Sequence, residues 1–267
     1  MSRPLILLSN DDGIRSIGLR ALADALADLG DVVVVAPDRE RSAQSHAFTL
    51  HRPLRVEEVE PRCFAVDGTP ADCVYLGVLK LCGRRPDLCV SGINFGYNLG
   101  SDVFYSGTIA GAVEAALRDV PAIAMSLDYR PGLRGQPERF VHAARFAHAL
   151  AAAVLKQGLS KGTLLNVNVP SGSPRGFRWT RLGRRVYDDV VEARHDLRGR
   201  AYYWIGGPAS GYDDLPGTDC RAIAQELVSV TPLDLDLTHD GILANLPDWK
   251  LPAFEAVVEA DLEASAP

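Results

Sequence analysis

Several absences narrow the field before any motif is read. The five cysteines (Cys63, Cys73, Cys82, Cys89 and Cys220) form no C-x-x-C pair, and no His/Cys group has zinc spacing, which argues against a structural zinc site. Their odd number and wide spacing read instead as buried, reduced thiols in a cytoplasmic protein. No apolar run reaches membrane-spanning length without charges, and the opening MSRPLILLSNDDG holds a stretch far too short for a signal peptide or a span. Basic residues are in the minority, 28 against 34 acidic, for a net charge of -6. That balance excludes a general binder of polymeric nucleic acid, which needs a basic face. It still admits a small phosphorylated substrate, because a metal or a helix terminus offsets a negative surface locally. There is no low-complexity tract and no internal repeat, and 267 residues suffice for one large α/β domain or a domain with an appendage.

What is present is a β-α-β rhythm through the first two-thirds of the chain. LILL at 5–8 is a candidate buried strand, followed by Leu19, Leu22, Ala23, Leu26 and Leu29 at helical spacing, with Gly30 as the stop. VVVVA at 32–36 has no polar face, as in a parallel sheet covered on both sides. A helix over 69–82 opens with Thr69 as cap and Pro70 in the first position. Strands are predicted at 87–92, 122–127 and 163–170, and helices at 108–117 and 138–155. The order implies a doubly wound, mainly parallel sheet in three α/β/α layers. From residue 171 the character changes to β-prone segments, GFRWTRLG, AYYWIGG and ELVSVTPLDLDLT, separated by charged or Gly/Pro-rich stretches. The expected organisation is a core over 1–170 and a C-terminal antiparallel β extension over 171–267, within one structural unit.

Ligands of open parallel sheets sit at the carboxyl ends of the strands, and three polar clusters fall there. SNDDG follows the first strand, PDRERSAQS the second, and SGINFGYNLGSDVFYSGT the strand at 88–91. Two adjacent acids, Asp11 and Asp12, repel each other unless something positive lies against them. With a hydroxyl from Ser42 or Ser45 and an amide oxygen from Asn94 or Asn98, they make an oxygen-rich set suited to a hard divalent cation such as Mg²⁺ or Mn²⁺. Ser106, Gly107 and Thr108 start a helix, where free N–H groups and the helix dipole favour an anion. Taken singly, each signal has an ordinary reading. NDDG can be a polar turn, Ser42 and His46 plain loop residues, and Asn94 and Asn98 turn residues among glycines. Their common placement at one sheet edge raises the joint reading.

The blocks LLSNDDG, VVAPDRERSAQS, DGTPADCVYLG, PDLCVSGINFGYNLGSDVFYSGTIAGAVEA and PAIAMSL, and further on LNVNVP, YYWIGG, GTDC and VSVTPL, resemble in order those of the survival protein E, or SurE, nucleotidases. The resemblance covers nearly the whole chain. It implies a Rossmann-like domain with a C-terminal β extension exchanged between subunits, giving a homodimer or homotetramer. It implies a phosphatase acting on nucleoside 5′- and 3′-monophosphates, with short-chain polyphosphate as a further substrate, and one divalent metal ion (Mg²⁺ or Mn²⁺) per subunit. The family's metal ligands would fall on Asp11, Asp12, Ser42 and Asn94. Its phosphate-binding S-G-T would fall on Ser106, Gly107 and Thr108, with Asn98 as the asparagine of the glycine-rich loop; Asp11, Asp12 and Asn98 would carry catalysis. The family's frequent A-P-G is here Ser16-Ile17-Gly18, and Tyr97 stands where many members have a small residue or proline. The stretch YRPGLRGQP at 129–137 has no strong match.

Two other classes follow from the same residues. An aspartyl-phosphate enzyme of haloacid-dehalogenase type also places acids after its first strand, but it needs D-x-D, and two residues beyond Asp11 stands Gly13. A nucleotide sensor would keep the pocket and bind without turnover. A Rossmann dehydrogenase is discarded, since no G-x-G-x-x-G joins the first strand to its helix.

Overall fold

The computed structural model describes residues 3–128, 136–188, 190–206 and 209–246. Most of the unmatched stretch at 129–137, and the last part of the expected extension, lie outside them. Strand β1 (Leu5–Ser9) is buried along its whole length, as an apolar run without a polar face requires in a sheet covered on both sides. Helix α1 (Ile17–Leu26) is capped by Ser16, whose Oγ accepts the Leu19 N–H. Strand β2 (Asp31–Pro37) follows. Strands β3 (Val56–Glu60) and β4 (Cys63–Val66) then form an antiparallel pair that the sequence reading did not assign. β3 is VEEVE and exposed throughout, so no buried face marks it by alternation. Helix α2 (Pro70–Leu76) begins at the expected cap, with Thr69 and Asp72 bonding each other's backbone. It is shorter than the predicted 69–82, because a π-helical turn takes over at Gly77–Leu81, where Gly77 brings the backbone against Leu7.

Strand β5 (Leu88–Phe95) runs past its predicted end and includes Asn94. After a 3-10 turn at Gly100–Phe104 come α3 (Gly107–Ala116), β6 (Ala122–Leu127), α4 (Val141–Gln157) and β7 (Thr163–Val169). The later strands are β8 (Phe177–Trp179), β9 (Arg185–Tyr187), β10 (Val190–His195), β11 (Ala201–Gly206), β12 (Ala209–Tyr212) and, after the short helix α5 (Asp219–Ala224), β13 (Val228–Asp234).

The main sheet has the order β3-β4-β2-β1-β5-β6-β7-β13-β8. Its six central strands, β4 to β7, are mutually parallel, and β13 runs antiparallel to β7. Alternate β1 side chains serve the two faces. Ile6 and Leu8 pack with Leu22 of α1 and Ala147 of α4, while Leu5 and Leu7 pack with Val74 of α2 and Ile109 of α3. Each fully buried Leu or Ile contributes about 1.5–3 kcal/mol. This is the expected three-layer α/β arrangement. The extension beyond residue 171 divides its strands between two places. β8 and β13 join the main sheet, whereas β10–β11 and β9–β12 form two separate two-stranded ribbons.

By internal contacts the chain divides at 235/236. In the second unit the described residues hold a short helix, α6 (Asp240–Leu243), capped by His239. No helix among the described residues is long and apolar enough to cross a membrane. All five cysteines are free; Cys73, Cys89 and Cys220 are buried as expected, whereas Cys63 and Cys82 are only half-buried.

Candidate metal and phosphate site

The sheet order reverses at β1. The chain passes from β1 to β2 on one side, and β5 with its successors lies on the other. At such a switch point the loops leaving two neighbouring strands diverge and open a crevice. Here the loops after β1, β2 and β5 meet around a cleft of about 540 Å³.

The loop after β1 is built by Asn10. Its side chain donates to Ser16 Oγ (2.7 Å) and the Gly13 carbonyl (3.1 Å) and accepts from the Gly13 N–H (3.2 Å). This compact turn sets the two acids. The Arg41 N–H donates to the Asp11 carbonyl at 2.7 Å, which draws the loop after β2, and with it Ser42, up to the acids. Asp11, Asp12, Ser42, Asn94, Asn98 and Ser106 all line the cleft. Of the two serines in that loop, Ser42 is the one that faces it, since Ser45 Oγ donates to the Phe104 carbonyl at 2.7 Å. His46 is not a lining residue. Its Nε2 lies 2.8 Å from Oε2 of Glu114, a buried acid on α3 that also pairs with Arg118 at 2.9 Å, so His46 fastens the loop to the helix.

Asp11 is only 4% exposed. Burial raises its pKa to about 6; hydrogen bonds from Thr108 pull the other way, and the Asp12 charge adds to the rise. The Thr108 hydroxyl donates to Asp11 Oδ1 at 2.6 Å. The Thr108 hydroxyl is thereby committed to Asp11. Gly107 also stands behind Asp11: a Cβ there would lie 2.8 Å from Asp11 Cβ and 3.2 Å from Pro70 Cγ. Within S-G-T, Ser106 is the cleft-lining residue. Its Oγ accepts the Ile109 N–H at 3.1 Å as the helix cap, and the cap does not use the hydroxyl hydrogen.

Asp12 Oδ2 accepts the Phe95 N–H at 3.2 Å. Asn94 Nδ2 donates to the Gly96 carbonyl at 2.9 Å, which leaves its oxygen, the atom a hard cation takes, outside that bond. Asn98 is clamped by residues of β6 and β7. Its N–H donates to Asn168 Oδ1 (2.8 Å), its carbonyl accepts from Asn166 (2.9 Å) and Asn168 (3.0 Å), and its Nδ2 donates to Ser126 Oγ (2.8 Å). The sequence reading gave Asn166 and Asn168 no part. Two asparagines at alternate positions of a buried strand were the available signal, because a buried amide needs partners.

Glu40, Asp102, Phe95, Tyr105 and Tyr187 also line the cleft. The described lining thus carries four carboxylates, Asp11, Asp12, Glu40 and Asp102, and no Lys, Arg or His. Among the described residues no three His, Cys, Asp or Glu are grouped to hold a metal. A cation here would rest on two carboxylates completed by the neutral oxygens of Ser42 and Asn94. That donor set fits Mg²⁺ or Mn²⁺ and does not fit zinc.

Residues 6–189 match the family described as Survival protein SurE. The chain is 55% identical over 254 residues to the 5′-nucleotidase SurE of Anaeromyxobacter dehalogenans (strain 2CP-C), covering 94% of this chain and 97% of that one. It is 52% identical over 252 residues to the 5′-nucleotidase SurE of Myxococcus xanthus, with 93% and 94% covered. The crystal structure of the SurE protein from Aquifex aeolicus superposes with a TM-score of 0.80 at 41% identity, over 92% of this chain and 99% of that chain. The chain belongs to the SurE family.

Proposed function

We propose that the protein is a divalent-metal-dependent phosphatase that hydrolyses nucleoside 5′- and 3′-monophosphates to nucleoside and phosphate, with short-chain polyphosphate as a further substrate. One observation carries the metal dependence. Asp11 and Asp12 stand side by side in a cleft whose lining has no Lys, Arg or His, so a phosphate brought up to them is repelled unless a cation lies between. The relatives named 5′-nucleotidase SurE support the substrate class.

Asp11, Asp12, Ser42 and Asn94 would hold one Mg²⁺ or Mn²⁺ per subunit. When bound, such an ion supplies Lewis acidity toward a phosphoryl oxygen and makes water more acidic. Asp12, fixed by the Phe95 N–H, accepts a proton from the attacking water. The Ser106 hydroxyl donates to a phosphate oxygen at the start of α3, where the helix dipole favours negative charge. Asn98, held rigid by Asn166 and Asn168, orients the phosphate. Transfer goes directly to water in line with the leaving nucleoside oxygen, which takes its proton from solvent, without a phosphorylated aspartate.

The reading extends to assembly and place. Residues 171–267 serve as the arm of a homodimer or homotetramer, on a core of residues 1–170. Every residue of the β10 and β11 strands is exposed, including Tyr203, Trp204 and Ile205. An isolated two-stranded ribbon is marginal in water, and an exposed apolar patch marks an interaction site. Free cysteines suit the cytoplasm.

The test is phosphate release from a panel of nucleoside 5′- and 3′-monophosphates before EDTA, after it, and with Mg²⁺ or Mn²⁺ restored. Turnover that disappears and returns with metal is the expected result. Tight nucleotide binding without turnover under any metal would make the protein a sensor.

A further inference from the structure

The cleft is lined by two kinds of group. Beside the acids and amides stand aromatic rings, and two of them are open to solvent: Tyr105 is 70% exposed and Tyr187 39%. They are 82 positions apart in sequence, Tyr105 directly before Ser106 and Tyr187 at the end of β9 in the late part of the chain. One residue ties them together. The Asp102 carbonyl accepts the Tyr105 N–H at 3.0 Å, and the Asp102 carboxylate accepts the Tyr187 hydroxyl. Arg185 pairs with the same carboxylate, and its guanidinium lies 5.1 Å from the centre of the Tyr187 ring.

This arrangement has a chemical consequence. The Tyr187 hydroxyl is engaged and the Asp102 charge is neutralised by Arg185, so what Tyr187 offers the cleft is its ring. A ring fixed by a hydrogen bond at its hydroxyl and by a cation over one face loses little freedom when a flat partner stacks on its other face. We propose that Tyr187 and Tyr105 form a nucleobase subsite, with Asp102 and Arg185 as the positioning residues that hold Tyr187 at the cleft. The subsite takes a planar heteroaromatic ring carried on the sugar phosphate whose phosphoryl group reaches Ser106. Because every base has a π-face, such a platform selects for the presence of a base more than for its identity. The inference rests on the phosphatase reading above.

The test compares a nucleoside 5′-monophosphate with ribose 5-phosphate, which has the same sugar phosphate and no base. In wild type kcat/KM favours the nucleotide. The ratio of the two kcat/KM values falls about tenfold in Tyr187→Ala, the order of one lost base–aromatic stack, and stays near the wild-type value in Tyr187→Phe, which keeps the ring. Asp102→Asn lowers the ratio less than Tyr187→Ala, mainly through KM. A second reading needs no variant: a free nucleoside competes with ribose 5-phosphate in the wild-type enzyme. A wild-type ratio near one, an unchanged ratio in Tyr187→Ala, or no competition by nucleoside overturns the subsite and leaves the phosphatase reading standing. A wild-type enzyme that hydrolyses neither compound with metal present overturns both.

Discussion

The Thr108 hydroxyl donates to Oδ1 of Asp11 across 2.6 Å, with Thr108 wholly buried and Asp11 nearly so. This bond joins the N-terminus of α3 to the loop after β1. It gives the third residue of the S-G-T motif a role behind the proposed metal ligand. Thr108→Val removes the donor and keeps the bulk. The expected outcome is a 10–100-fold loss of Mn²⁺ affinity, the usual size for a lost partner of a metal ligand, with most of it recovered in Thr108→Ser. Calorimetric titration of Mn²⁺ into the three proteins measures this. Equal affinity in Thr108→Val would detach Thr108 from the metal site.

Metal binding competes with protons. Burial, the largest cause, together with the Asp12 charge raises Asp11 to about 6 against the lowering pull of Thr108. The carboxylate that a cation needs is therefore present above pH 7 and progressively lost below pH 6. Mn²⁺ affinity is expected to change little from pH 7 to 8 and to weaken by roughly tenfold for each unit below 6. A titration series from pH 5 to 8 reads this directly. Affinity that held level down to pH 5 would place the metal away from Asp11.

Gly107→Ala separates helix propensity from packing. Alanine is the better helix former by about 1 kcal/mol, yet its Cβ would stand 2.8 Å from Asp11 Cβ and 3.1 Å from Asp11 Oδ2. Overpacking of this kind costs about 1–3 kcal/mol, and here it pushes on Asp11, the proposed metal ligand. Activity is expected to drop at least tenfold, with thermal stability unchanged or lower. A variant of wild-type activity and higher Tm would show that the space is not needed.

Much of this site could be read in the sequence. Asp11, Asp12, Ser42, Asn94, Asn98 and Ser106 were expected at one sheet edge, and all six line one cleft. Their strands carry strong local signals, an apolar run followed at once by a polar cluster. The parts that were not legible depend on which way a side chain turns or on distant segments meeting. S-G-T spacing marks a helix start but does not say that Thr108 turns toward Asp11, which depends on how α3 packs against β5 and β6. Tyr187 reaches Asp102 from 85 positions away, and no local pattern announces that. The exposed β3 lacks a buried face. β13 lies inside the main sheet beside β7, a pairing that only the folded chain reveals.

The most direct measurement is phosphate release from a nucleoside monophosphate by metal-stripped wild type and Asp11→Asn over a range of Mg²⁺ or Mn²⁺ concentrations. Wild type should regain activity as one ion binds per subunit. Asp11→Asn should need at least a hundredfold more metal, or stay nearly inactive, because one of its two carboxylate ligands is gone. Full activity of Asp11→Asn at the same low metal concentration would contradict the placement of a catalytic cation between Asp11 and Asp12.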